Sequence, residues 1–163
     1  ALLAEAAVTW ADVALLAVGT GPGNFTGVRI SVAAVRGLAL GLGISAIGVT
    51  RLEALAHGLP RPLTVIEDAR RDEVYVQEFT ASGSLAAQLK PLQGLDVSGP
   101  VTGSGAMLLG RDPLPAARPL TVAIAEIAAA RAATGAVQPR PAPFYLRGAD
   151  AAPPADLPPV ILP

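Results

Sequence analysis

Residues 13–42 constrain the fold more than any other stretch. A short apolar run, Val13 to Val18, leads into Gly19-Thr-Gly-Pro-Gly-Asn-Phe-Thr-Gly27, and that turn opens a long segment rich in valine, alanine and glycine. A short apolar run bounded by glycine reads as a strand covered on both faces. Asn24 or Thr26 can cap the helix that follows, which the pattern carries to about Leu42, with Gly41 and Gly43 ending it. Ser45 to Val49 is the next buried strand, and Thr50 caps a shorter helix through about His57. Strand, helix and strand in that order predict neighbouring parallel strands with a right-handed crossover. Ligand sites of α/β proteins lie at the carboxyl ends of such strands, so the glycine turn is the first place to look for chemistry.

A boundary follows at Leu59-Pro-Arg-Pro62. Beyond it, strands are predicted at Leu63 to Glu67 and Val74 to Thr80, joined by Asp68-Ala-Arg-Arg-Asp-Glu73. The second alternates, Val74 and Val76 against Tyr75 and Gln77, as a half-exposed antiparallel strand should. Leu85 to Leu89 and Val97 to Val101 are weaker strand candidates. Leu120 to Ala133 reads as a helix stopped by Gly135. Half of the 16 prolines lie between Pro139 and Pro163, which predicts an extended, docked tail. Residues 1–8 look like the end of a helix. Two parallel strands are too few for a stable sheet, so further strands are expected upstream of Ala1, where the chain does not begin with Met.

At 163 residues, 52% of them hydrophobic, the chain has material for one ordinary domain or two small ones. Its 12 basic residues face 13 acidic ones, and no three basic residues are consecutive. A chain that grips nucleic acid unaided carries a basic surplus, because phosphate neutralisation supplies most of the affinity. Direct RNA binding is therefore not expected. The lack of cysteine removes disulfides, thiolate metal sites and cysteine nucleophiles, and fits a cytoplasmic location. No apolar run reads as long and glycine-free enough for a membrane span.

Four features were candidates for chemistry. Backbone N–H groups around Gly23, Asn24, Thr26 and Gly27 could cradle a phosphate at the helix start. A P-loop would end in Gly-Lys-Ser/Thr, whereas Lys90 is the only lysine in the chain, so a tight structural turn is the stronger reading. His57 stands alone and suits a helix C-terminus better than a metal site. Glu67, Asp68, Asp72 and Glu73 cluster around the predicted hairpin, where shaping the turn and pairing with Arg70 and Arg71 outweigh a paired-carboxylate site. The long helix carries the sharpest signal. Val28, Val32, Val35 and Ala39 form one apolar stripe, while Ile30, Ala34, Gly37 and Gly41 form another, flanked by Arg29, Ala33, Arg36 and Leu40. A helix lying on one sheet needs one such stripe; a second predicts burial against a partner.

Gly21-Pro-Gly-Asn-Phe-Thr-Gly-Val-Arg-Ile30, Gly37-Leu-Ala-Leu-Gly41, Ile47-Gly-Val-Thr50 and Asp68-Ala-Arg-Arg-Asp-Glu-Val-Tyr75 resemble the TsaB family, also called YeaZ. Thr102-Gly-Ser-Gly105 and Pro143-Phe-Tyr-Leu-Arg147 resemble its later motifs in the same order. The family's opening strand hairpin, with its Ile-Asp-Thr-like motif, has no counterpart in this sequence. The resemblance implies an α/β fold of two ribonuclease-H-like lobes of the actin/hexokinase (ASKHA) type, the first incomplete at its N-terminus. The expected division is 1–59 for the first lobe and 60–147 for the second, whose last helix packs back on the first, with 148–163 as tail.

TsaB is similar to TsaD, the transferase that places threonylcarbamoyl on the adenosine beside the tRNA anticodon. The catalytic branch carries a His-x-x-x-His metal pair, and its positions fall on Arg51 and Leu55 in this chain. The resemblance thus implies a subunit without catalytic residues, metal or intrinsic cofactor, and with a nucleotide only in the assembled complex. Its implied partner is a TsaD-like subunit, met through Arg29, Ile30, Ala33, Ala34, Arg36, Gly37, Leu40 and Gly41 together with the helix ending near Ala7. A TsaE-like ATPase and tRNA would be reached only through the complex, and the isolated chain would pair with itself. The rival is an enzyme, a phosphotransferase or a metal-dependent transferase or peptidase, using the cleft between lobes. A weaker alternative is docking through the proline-rich tail.

Overall fold

The computed structural model describes residues 2–148. It opens with a four-residue helix α1 (Leu2–Glu5) that buries none of its side chains. A single turn at Trp10–Asp12 follows, where the Thr9 hydroxyl and N–H hydrogen-bond the Asp12 carboxylate and hold its pKa below the usual range. Then come β1 (Leu15–Gly19), α2 (Phe25–Leu42), β2 (Ser45–Val49) and α3 (Arg51–Ala56). The second half holds β3 (Leu63–Arg70), β4 (Glu73–Thr80), β5 (Gly83–Ser84), β6 (Gln88–Pro91), β7 (Val101–Thr102) and α4 (Leu120–Ala133).

The first sheet is the parallel pair β1–β2, in register from Leu15↔Ser45 to Gly19↔Val49. Its strands alternate between two helical layers, since successive strand side chains point to opposite faces. Ile47 and Val49, with Leu15 and Ala17, pack against Ala123, Ile124, Ile127 and Ala128 of α4. Alternate positions, Leu16 and Val18 among them, point to the other face, and α2 lies against both strands. Val32 and Ala39 are buried, so the stripe Val28, Val32, Val35, Ala39 is the inward one. Asn24 caps α2 by accepting the Gly27 N–H, and Gly43, at φ +68°, closes it in the left-handed region.

The second sheet runs β5-β4-β3-β7, with β6 also pairing β4. It is mixed: β3 and β4 are antiparallel, β3 and β7 parallel. Both faces are covered. Leu63, Val65 and Phe79 pack with Leu52 and Ala56 of α3, while Ile66, Val74 and Val76 pack with Val101, Ala106 and the 92–109 connection. The alternation expected for β4 holds: Val74 and Val76 are buried, Tyr75 and Gln77 half-buried, and the cover on the valine face comes from a connection that carries no periodic signal of its own.

Some boundaries shift. The hairpin tightens to Arg71-Asp72 because Asp68 to Arg70 and Glu73 join the ladder across a bulge, with Arg70, Arg71 and Asp72 at positive φ. The weaker predictions at 85–89 and 97–101 become the short β6 and β7, displaced by a few residues. The expected helix end at residues 1–8 reduces to α1. By length and a mean hydropathy of 1.4, α2 is apolar enough to cross a membrane, contrary to the sequence expectation. Its 18 residues sit at the short end of the range of about 17–25 that spanning requires, and it carries Arg29 and Arg36. The proline-rich stretch 149–163 lies outside the described residues.

Candidate functional site

The glycine turn is tied down by main-chain bonds rather than left open. Gly21 lies at φ +100°, and its carbonyl accepts the Arg51 N–H at 2.6 Å. Thr20 reaches in both directions: its N–H donates to Val49 O, and its carbonyl accepts the Phe144 N–H at 2.8 Å. Among the weak phosphate-site residues, Gly27 has its N–H occupied by Asn24 Oδ1 at 2.8 Å, and Gly23, Asn24 and Thr26 are exposed. The cap thus uses one of the N–H groups that an anion at the helix start would need.

Residues 143–147 cross from this turn to the β3–β4 hairpin. Tyr145 Oη accepts from Arg29 Nε at 2.6 Å, and its ring lies 5.6 Å from that of Phe25. The Arg29 guanidinium sits 3.6 Å over the Phe25 ring, a cation–π contact. At the far end Arg147 pairs with Glu73 at 2.6 Å and donates to Ala69 O. Burial works against the Arg147 charge, but the hydrogen bond to Tyr75 and the charge of Glu73 outweigh it and raise its pKa above the ordinary value. A cleft of about 610 Å³ lies between turn and segment, lined by Pro22, Phe25, Arg29, Tyr75, Tyr145 and Arg147 among others.

The acidic cluster separates into three different pairings. Glu67, 6% exposed, is ion-paired with Arg51 of α3, and its Oε1 accepts the Ser104 N–H at 2.8 Å. Asp68 accepts the Arg70 N–H and lies 3.4 Å from its guanidinium. Glu73 holds Arg147. The expectation that all four acids serve one local turn is corrected, because Glu67 and Glu73 reach other elements. The Ser104 Oγ in turn accepts the Asp68 N–H at 3.1 Å. Gly103 and Gly105 let this turn press onto β3: a Cβ on Gly103 would stand 2.3 Å from Ile66 O.

At the two positions where the catalytic branch is expected to carry histidines, Arg51 is held by Glu67 and Leu55 packs beside Leu52, Leu63 and Phe79. No group of three or more His, Cys, Asp or Glu that could hold a metal occurs among the described residues. His57 ends α3 and meets Glu126 of α4 at 2.8 Å. It joins two packed helices, a partner that its position in the sequence gave no means of finding.

The outward side of α2 has no cover among the described residues. Arg29, Ile30, Ala33, Ala34, Arg36, Gly37, Leu40 and Gly41 are all exposed, Ile30 by 64% and Leu40 by 86%. Nothing lies within 4 Å of a Cβ built on Gly37 or Gly41. The smallest residues thus face outward, where they do nothing for packing inside the chain. In α1, Leu2 is 80% exposed.

A family model described as TsaD, tRNA N6-adenosine threonylcarbamoyltransferase, matches residues 1–97. An uncharacterized protein of Mycobacterium tuberculosis is 37% identical over 161 residues, covering 94% of this chain and 73% of that protein. The tRNA threonylcarbamoyladenosine biosynthesis protein TsaB of Escherichia coli is 42% identical over 84 residues, 48% of this chain and 36% of that protein. Among solved structures, YeaZ from Pseudomonas aeruginosa superposes with a TM-score of 0.72 at 28% identity, covering 88% of this chain and 79% of that one. A second structure from the same species, described as similar to peptidase YEAZ, gives 0.66 at 27% identity, over 90% and 79%.

Proposed function

The chain belongs to the TsaB/YeaZ family, and from that premise we propose that it is a scaffold subunit in tRNA threonylcarbamoyladenosine biosynthesis that binds a TsaD-type transferase through the outward face of α2. The observation that carries this reading is the exposed Ile30, Ala33, Ala34, Gly37, Leu40, Gly41 surface. Small residues let a second helix approach closely, and Leu40 and Ile30 gain most from removal from water. Without the transferase, the same surface would pair two copies. A TsaE-type ATPase and tRNA would be met through the complex, in the cytoplasm, and any nucleotide would belong to the assembly.

A non-catalytic role is supported by residue chemistry at the expected metal positions, Arg51 and Leu55, neither of which ligates a metal in the way histidine does. The cleft at Phe25, Arg29 and Tyr145 favours a second reading, a ligand-binding or transferase activity of the chain itself. Light scattering on a size-exclusion column separates the two. The scaffold reading expects a homodimer that gives way to a mixed complex when the TsaD-type subunit is added. Ala33→Glu should abolish both species and leave a folded monomer. A wild-type chain that ignores the transferase but binds nucleotide in titration would favour the second reading instead.

A further inference from the structure

We propose that the groove between the C-terminal half of α2 and residues 135–141 is a docking site for an apolar segment of the transferase partner flanked by carboxylates. This rests on the scaffold reading and extends it to a second, electrostatically distinct contact. The groove, about 820 Å³, runs from the outward edge of α2 past the start of β2 to the chain that leaves α4. Its apolar lining includes Leu40, Ile44, Ala46 and Val137, with Leu40 86% and Val137 99% exposed. Two exposed residues at this length of chain with so little cover are the hydrophobic part of the case.

Charge supplies the other part. Arg36 and Arg140 line the same groove from opposite elements. Carboxylates pair with Arg51, Arg70, Arg118, Arg131 and Arg147, yet among the described residues none lies in ion-pair reach of Arg36 or Arg140. Two unpaired guanidiniums across an apolar floor match a segment with a large apolar side chain between acidic ones, because guanidinium forks grip carboxylates bidentately. Continuity with the α2 face follows from the shared residues Arg36, Gly37 and Leu40, so one partner can cover both surfaces. The occupant is thus argued from chemistry: acidic, apolar-tipped, and borne by the protein that covers α2.

The test is binding of the full chain to the TsaD-type subunit by titration calorimetry at several salt concentrations, with Ala33→Glu and Arg140→Glu compared. Arg140 is exposed and lies outside α2, and the melting temperature of the variant checks that it folds. The proposal expects Arg140→Glu to weaken binding about tenfold and to flatten its salt dependence, as loss of an interfacial charge pair does. Wild-type affinity and salt slope in Arg140→Glu, with binding lost in Ala33→Glu, would overturn the groove and leave the scaffold reading intact. Wild-type affinity in Ala33→Glu with weakening in Arg140→Glu would support the groove and refute the α2 surface. Wild-type behaviour of both variants, or no binding by the unaltered chain, would overturn both. A chain ended at Gly148 that binds more tightly would overturn the partner assignment, because residues 149–163, with Asp150 and Asp156, would then be the occupant.

Discussion

Arg51, in the first turn of α3, and Glu67, in β3, form an ion pair that fastens the helix following the first sheet to the second sheet. Glu67 is buried and uses its remaining oxygen on the Ser104 N–H, so one carboxylate links α3, β3 and the turn after β7. Arg51 is one of the two positions where the catalytic branch of the family is expected to carry histidine, and here its side chain fastens α3 to β3.

Glu67→Gln keeps the shape of the side chain and removes its charge. Arg51 then loses its partner, and a buried group that loses a charged hydrogen bond costs about 1–3 kcal/mol. Urea unfolding should show a lower midpoint with an unchanged slope. An unaltered midpoint would mean the pair contributes nothing to stability.

Gly37→Ala should separate folding from assembly. The new methyl group meets no atom within 4 Å in the isolated chain, and replacing a mid-helix glycine by alanine stabilises by about 0.5–1 kcal/mol. The same methyl stands on the face proposed for close helix approach. Expected is a higher melting temperature for the isolated monomer together with weaker association by light scattering. Unchanged association would remove Gly37 from the interface.

Gly103→Ala should be severe. The added Cβ would lie 2.3 Å from Ile66 O, and the residue sits at φ +99°. Overpacking against main chain and a strained φ each carry a penalty, and together about 3 kcal/mol is expected. Gly99→Ala shares the positive φ but has open space around it, so it isolates the conformational part. Equal losses in the two variants would show that the close approach to β3 does not matter.

Thr50→Ala removes one half of a reciprocal cap. The Thr50 Oγ1 accepts the Glu53 N–H at 3.1 Å, while Glu53 Oε2 accepts the Thr50 N–H at 2.9 Å. Loss of such a cap costs about 1 kcal/mol. Thr50→Ser should restore most of it, and failure of that rescue would assign the effect to the lost methyl instead.

How far the sequence foretold this depends on how local each signal is. Ser45–Val49 and Leu120–Ala133 match their expected bounds because their signals are local: an apolar run bounded by Gly43 in the one, helix-forming residues stopped by Gly135 in the other. Asn24 was legible as a cap for the same reason. The alternation of β4 was legible, but not what covers Val74 and Val76, because that cover comes from residues 92–109, farther along the chain. Likewise the partners of Glu67, Glu73 and His57 lie at Arg51, Arg147 and Glu126, and no periodicity points at them. The two stripes of α2 were both visible in the residues, but only the packed structure shows that the valine stripe turns inward and the glycine stripe outward.

The return of α4 to the first sheet has a consequence for how the chain is made. β1 and β2 are made before the side chains that cover Leu15, Ala17, Ile47 and Val49, which come from a helix at residues 120–133. Arg131 secures the closure with bonds to Gly48 O at 2.9 Å and to Glu53 at 2.5 Å, partners 83 and 78 positions earlier. Contacts so distant along the chain form late and slowly. Until residues 120–133 are made, the nascent first sheet therefore presents a bare apolar surface on the side that α4 will cover.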